Sequence, residues 1–249
     1  MQRQIWSRDE QLLALRLYFL LPFGQLHQKN SGVIAVAKSI NRTPSAVAMK
    51  ACNFASLDPD LQQKGLGNVS KLDRELWNEF VENSEKVSLE LEDTYQVSIK
   101  NEVENELLLL IPKGETESIR SVRVRRVQGF FRKSVMVSYD NCCALTGLNI
   151  PKLLIASHII PWSKDEARRA DPTNGIALNV LYDKLFDTGF IAFDDNLRVI
   201  LSKKLTYDLR SDVGLQHAFE IEGLQLNLPS RFHPDITAIK YHRQNIFLQ

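Results

Sequence analysis

Leu153-Leu154-Ile155-Ala156-Ser157-His158-Ile159-Ile160-Pro161-Trp162 is an apolar run of strand length that Pro161 stops. A polar stretch from Ser163 to Thr173 follows, and then Asn174-Gly175-Ile176-Ala177-Leu178, a second short strand. Val180 to Thr188 has helical periodicity, and Gly189 stands where a left-handed residue ends such a helix. Phe190 to Phe193, the turn residues Asp194-Asp195-Asn196, and Val199 to Leu201 read as a hairpin. Strand, loop, strand, helix and hairpin in that order make this half of the chain α+β. Just upstream, Phe130 to Tyr139 suits a helix with Arg132 and Lys133 on its polar side, and Cys143-Ala144-Leu145-Thr146-Gly147 reads as a turn.

Towards the N-terminus the pattern is helical throughout. Ser7-Arg8-Asp9-Glu10 is a capping-box pattern opening a helix that Pro22 and Gly24 stop. Gly32 to Ile40 suits a second helix. Thr43 as N-cap and Pro44 at the first helical position begin a third, expected to reach about Phe54. Two short helices across a tight polar turn, the second opening with Arg42, Thr43 and Ser45, look like a helix-turn-helix, and a plain helical bundle fits the same pattern. Ser70-Lys71-Leu72-Asp73 caps a further helix through Val81. The expected organisation is a helical domain over 1–84, an acidic connector over 85–118, and an α+β domain over 119–249.

Across all 249 residues the hydrophobic fraction is 44% and the charged fraction 24%, ordinary values for a globular chain, so a disordered or fibrous class is excluded. No apolar run reaches the roughly 18–20 residues a bilayer span needs, and the N-terminal residues do not read as a secretory signal. Three cysteines cannot build a disulfide framework or a four-cysteine zinc site, which points to a reducing cytoplasm. The net charge of +1 hides a segregation: Glu79 to Glu106 is acidic, whereas Arg120, Arg123, Arg125, Arg126, Arg132 and Lys133 form a basic run.

Within the strand-loop-strand-helix stretch, the residue types suit phosphodiester hydrolysis, which needs a base for water and a divalent cation against developing charge. His158 stands at a strand end, and Asp183 and Asp187 lie one turn apart on the following helix, where hard oxygen ligands suit Mg²⁺ or Mn²⁺. If the elements fold back on one another, the histidine faces a carboxylate across a small cleft. Spacing alone equally describes a hydrogen-bonded core histidine beside a helix-surface pair. Arg168 and Arg169, in the loop, are candidates for phosphate contacts. Cys142-Cys143 reads as core or turn, and His242 either as a DNA contact or as a structural hydrogen bonder.

Ala156-Ser157-His158-Ile159-Ile160-Pro161-Trp162, Asp171-Pro172-Thr173-Asn174-Gly175-Ile176-Ala177-Leu178 and Tyr182-Asp183-Lys184-Leu185-Phe186-Asp187-Thr188-Gly189-Phe190-Ile191 resemble the HNH endonuclease superfamily. Their nearest likeness is to the branch found in bacterial restriction endonucleases. Trp6 through Pro59 and Tyr241 through Phe247 resemble the N-terminal region and tail of the same proteins. The resemblance implies a ββα-metal fold, with His158 as general base, Asn174 positioning loop and base, and Asp183 as a ligand of Mg²⁺ or Mn²⁺. Ser157 stands where many members have a metal-binding Asp or His, and Tyr182 where close relatives often have His. Asp187 is then either a second ligand or an anchor of the helix. The paired zinc-binding cysteines of many members are missing, so no structural zinc is expected.

The function so implied is a metal-dependent endonuclease acting on double-stranded DNA in restriction or phage defence. Arg42, Ser45 and Lys50 on the reading helix, and Arg125, Arg126 and Arg132 on the basic run, are the expected DNA contacts. One such site cuts one strand, so double-strand cleavage implies a homodimer or two encounters. The competing expectations are a non-catalytic helix-turn-helix regulator with a degenerate nuclease fold, and an RNA nuclease.

Overall fold

The capping box read at Ser7 forms as expected: the amide of Glu10 donates to Ser7 Oγ and the amide of Ser7 donates to the Glu10 carboxylate, opening α1 (Arg8–Leu20). The computed structural model describes residues 5–61, 67–99, 119–208 and 220–249. Glu102 to Glu106, Leu107 to Leu110, Lys113 and His217 lie outside the described residues, as do Gly65 and Leu66. The chain divides into two compact units, Met1–Phe130 and Phe131–Gln249.

In the first unit α1 is buried on nearly every side, from Gln11 to Phe19. The helices packing around it are α2 (Ser31–Ser39), α3 (Pro44–Ala55) and α5 (Ser84–Ser98), with α4 (Lys71–Glu82) against α3 and α5. A central helix carrying Gln11 and Arg16 must give its polar groups partners, because an unpaired buried charge costs several kcal/mol. Arg16 Nε therefore lies 2.9 Å from Glu92, and Gln11 donates to Asp73 at 2.9 Å. Thr43 caps α3 and Pro44 opens it. The expected connector overlaps this unit: Val87 and Leu91 of α5 are buried in the bundle, because helical spacing aligns them on one face that the acidic composition obscured. α6 (Ile119–Ser138) begins eleven residues before the expected Phe130. Its Phe130 ring meets Phe19 edge-on at 5.4 Å.

The second unit is built on two antiparallel ribbons. β1 (Leu154–His158) pairs with β2 (Gly175–Asn179), and His158 stands opposite Gly175. α7 (Val180–Asp187) follows without a gap, capped by Asn179, and packs on both strands. β3 (Ile191–Phe193) and β4 (Val199–Leu201) form the hairpin, its turn closed by Asp194, which accepts from the amides of Asn196 and Arg198 at 2.8 Å each. α8 (Lys203–Asp208) and α9 (Ile236–Asn245) complete the unit, with α9 packed on β3. Gly189 has φ +78, and a Cβ there would sit 2.1 Å from the Ile246 carbonyl oxygen, so only glycine lets the C-terminal segment close over the end of α7. The core runs from Phe131 and Val135 through Ile176, Leu178 and Phe186 to Ile239. No helix among the described residues is long and apolar enough to cross a membrane.

Candidate active site

β1 ends at His158, and strand alternation sends consecutive side chains to opposite faces. His158 turns toward α6, where its ring stacks on Phe131 with centroids 3.7 Å apart and planes 13° from parallel. Trp162 meets the imidazole edge-on at 5.6 Å. His158 Nε2 lies 3.0 Å from the Arg169 carbonyl oxygen. A carbonyl only accepts, so Nε2 carries the proton and Nδ1 is the basic nitrogen. No hydrogen bond engages Nδ1 among the described residues. Burial holds the imidazole below its ordinary pKa, against the smaller opposing effect of the Arg169 carbonyl, so the ring is neutral near pH 7.

Asn174 is buried and grips the chain leaving β1 from two sides. Its Oδ1 accepts from the Ile160 amide at 2.8 Å, its Nδ2 donates to the Ile160 carbonyl at 3.2 Å, and its own carbonyl accepts from Ile159 at 2.9 Å. These bonds replace the ladder beyond His158, which is why the apolar run stops being strand before Pro161. Asn174 thus fixes the backbone that carries His158 and touches the loop, not the imidazole itself.

Ser157 turns the other way, toward α7. Its hydroxyl is buried, with only 2% of the residue exposed, and makes no well-formed hydrogen bond, yet it lies near enough to Asp183 to favour the ionised carboxylate. Burial outweighs that effect and raises the Asp183 pKa. Asp187, one turn on, is pushed up to about 6 by desolvation and by the charge of Asp183. Alternation thus gives Asp183 the neighbour Ser157, while the ring stacked on His158 is Phe131. Among the described residues no three His, Cys, Asp or Glu side chains converge. The oxygen donors are two mutually repelling carboxylates and an orphaned hydroxyl. A hard divalent ion such as Mg²⁺ takes one or two carboxylates and completes its shell with water and phosphate oxygens, so these residues fit one.

The arginines of the loop face inward. Arg168 lies 3.0 Å from Asp171 and 2.9 Å from Asp235, the N-cap of α9, tying the loop to that helix. Arg169 donates to the Trp162 carbonyl at 2.8 Å, pairs with Glu166 at 3.2 Å and lies over the Trp162 ring. Both brace the loop through carboxylates that lie three residues away in sequence.

In the helical unit two expected DNA contacts are also engaged internally. Lys50, 6% exposed, is 2.9 Å from buried Asp73, and Arg42 is 2.7 Å from Glu10 with its guanidinium over Trp6. Ser45 is exposed on the first turn of α3. Arg126 pairs with Asp93, Arg125 is half-buried, and Arg132 is exposed, donating to the Pro151 carbonyl at 3.2 Å. Phe131 had no signal of its own in the sequence, where it reads as one more apolar helix residue. The glycine opposite His158 was the legible hint of a close neighbour.

A model of the HNH endonuclease family matches residues 143–194, the span from the turn before β1 to the turn of the β3–β4 hairpin. A search of curated proteins gave no match. Among solved structures, a "Modification dependent TagI restriction endonuclease" shares 20% sequence identity over 47% of this chain and 37% of that one, with a TM-score of 0.34. The chain spans well under half the length of that protein. Residues 143–194 carry His158, Asn174 and α7 in the order strand, strand, helix, and this segment of the chain is an HNH endonuclease domain, a phosphodiester hydrolase.

Proposed function

We propose that this nuclease is a divalent-cation-dependent DNA endonuclease of the restriction type, working in the reducing cytoplasm that its three cysteines suit. The observation that carries the reading is the state of His158: neutral, its proton fixed on Nε2 by a carbonyl, its Nδ1 open to take a proton from water. In-line displacement puts the attacking water and the leaving oxygen on opposite sides of phosphorus. His158 would serve the attacking side and the carboxylate of Asp183 the leaving side. Asn174 holds the strand end rigid through Ile160. Asp183, Ser157 and Asp187 would hold Mg²⁺ or Mn²⁺, which supplies charge neutralisation at the phosphorane and the leaving 3′ oxygen.

Arg132, exposed on α6, and Ser45, exposed on α3, are the proposed contacts to the sugar–phosphate backbone, each within its own unit. One catalytic histidine cuts one strand, so a double-strand break requires two copies of the chain, as a homodimer or in succession.

Purified protein incubated with supercoiled plasmid and Mg²⁺, Mn²⁺ or EDTA tests the reading, alongside His158→Ala. Metal-dependent nicking that the substitution abolishes is expected. Undiminished cleavage in EDTA removes the metal from the proposal, and cleavage confined to RNA replaces the substrate.

A further inference from the structure

The imidazole of His158 is restrained on three sides. Phe131 covers its face, Trp162 abuts its edge, and the Arg169 carbonyl holds Nε2. The Phe131 contact depends on a gap in the opposite strand. A Cβ at Gly175, the register partner of His158, would lie 2.8 Å from Phe131 Cζ and 2.5 Å from a Val135 methyl carbon. Under 3.0 Å is closer than side chains approach, so glycine at 175 is what admits α6 to the end of the strand pair. Phe131 and Val135 are one helical turn apart, and both are buried against this gap.

A hydrogen bond to one ring nitrogen leaves the imidazole free to swing about that bond. A ring stacked flat on its face removes the swing and leaves Nδ1 on one bearing. We infer that Phe131, seated by Gly175, is a positioning residue for hydrolysis, fixing the direction from which the His158 imidazole takes the proton of water. The inference rests on the reading of His158 as general base. Phe131 touches neither water nor phosphate in this role. It acts on the rate through orientation, where a misplacement of about 1 Å costs on the order of 100-fold.

The test uses the full chain with Phe131→Leu and Phe131→Met, which remove the flat face but keep apolar bulk, and Phe193→Leu, an equally buried ring that does not touch His158. Single-turnover cleavage at saturating plasmid is expected to slow by about 10- to 100-fold in the folded Phe131 variants, with the half-saturating DNA concentration changed less than about threefold. Phe193→Leu is expected to lower the melting temperature while the rate per folded molecule stays within about twofold. Two-bond ¹H–¹⁵N spectra of the imidazoles are expected to show the Nε2–H tautomer for His158 in the parent and in the Phe131 variants alike, because the Arg169 carbonyl still holds that proton.

A folded Phe131→Leu or Phe131→Met protein that cleaves at the parent rate overturns the inference. So does a slowing that comes wholly through weaker DNA binding. Should Phe131→Leu fail to fold, Phe131→Met decides. Should His158→Ala retain full cleavage, the base assignment itself has failed, a result that the Phe131 variants cannot produce.

Discussion

His158 and His242 are held by the same two devices and differ in what lies beyond them. Each imidazole stacks on a phenylalanine with centroids 3.7 Å apart, His158 on Phe131 and His242 on Phe186. Each gives its Nε2 proton to a backbone carbonyl, Arg169 at 3.0 Å and Phe186 at 2.9 Å. Burial lowers both pKa values, that of His242 to about 4. The difference is at Nδ1. In His242, 2% exposed inside the α9 packing, Nδ1 is buried without a partner, whereas His158 is half-buried at a strand end beside a polar loop. Stacking and a carbonyl make a histidine rigid and neutral; access to water decides whether rigidity serves chemistry or only the core.

The largest effects should therefore fall on different properties. His158→Ala is expected to cut the cleavage rate by on the order of 100- to 10,000-fold while lowering the melting temperature less than the loss of the more deeply buried His242. His242→Ala, which deletes a buried ring and its hydrogen bond, is expected to lose about 2–4 kcal/mol of stability with the rate per folded molecule kept. Cleavage assays and urea melts on both variants check the crossing. Equal loss of rate in both would erase the distinction.

Acid separates the two states of His242 next. Above pH 6.5 the folded and unfolded forms are both neutral there. As pH falls from about 6.5 to the folded value of about 4, the unfolded chain takes up a proton that the folded one refuses, so stability declines, by about 3 kcal/mol at most. Below that window both forms are charged and the loss is constant. Asp183 and Asp187, with raised values, act in the opposite sense: the folded form keeps their protons longer, so they weaken the fold as pH rises above the ordinary carboxylate range, for Asp187 up to its value of about 6. His242→Leu is expected to flatten the fall in urea midpoint between pH 6.5 and 4.5, and an unchanged slope would assign that fall to other groups. Asp183→Asn is expected to melt higher than the parent at pH 7.5 and equally at pH 3, a smaller change read by calorimetry.

Where local chemistry sets structure, the sequence was readable. Ser7 with Glu10, Thr43 with Pro44, and Gly189 placed helix ends to within a residue, because a cap depends on residues three or four apart. His158, Asn174 and Asp183 could be picked out because the motif lies within 26 positions of one chain segment. What could not be read depended on partners distant in sequence. The α5 helix looked like a connector because two apolar residues, Val87 and Leu91, stand among acidic ones, and only the bundle they face shows that they are buried. Lys50 looked like a DNA contact because nothing near it reveals Asp73, 23 residues on. Arg168 and Arg169 sat beside carboxylates that were in view, at Glu166 and Asp171, yet the loop geometry that aims them inward was not.

The smallest predicted effect extends the comparison to the arginines near each histidine. Arg132 follows Phe131 on α6 and is exposed, with one bond to the Pro151 carbonyl. Arg243 follows His242 on α9 and is closed off, donating to the Phe193 carbonyl at 3.0 Å and to Asp195 at 2.6 Å. An exposed guanidinium can take a phosphate without giving up a charged partner; Arg243 would first have to leave Asp195. Arg132→Gln is therefore expected to weaken plasmid binding by about 2- to 10-fold at low salt and to reduce the slope of log affinity against log salt by about one. Arg243→Gln should leave both within about twofold. Binding measured across a salt series separates the two outcomes, and an unchanged slope in Arg132→Gln would place the DNA backbone on some other face of α6.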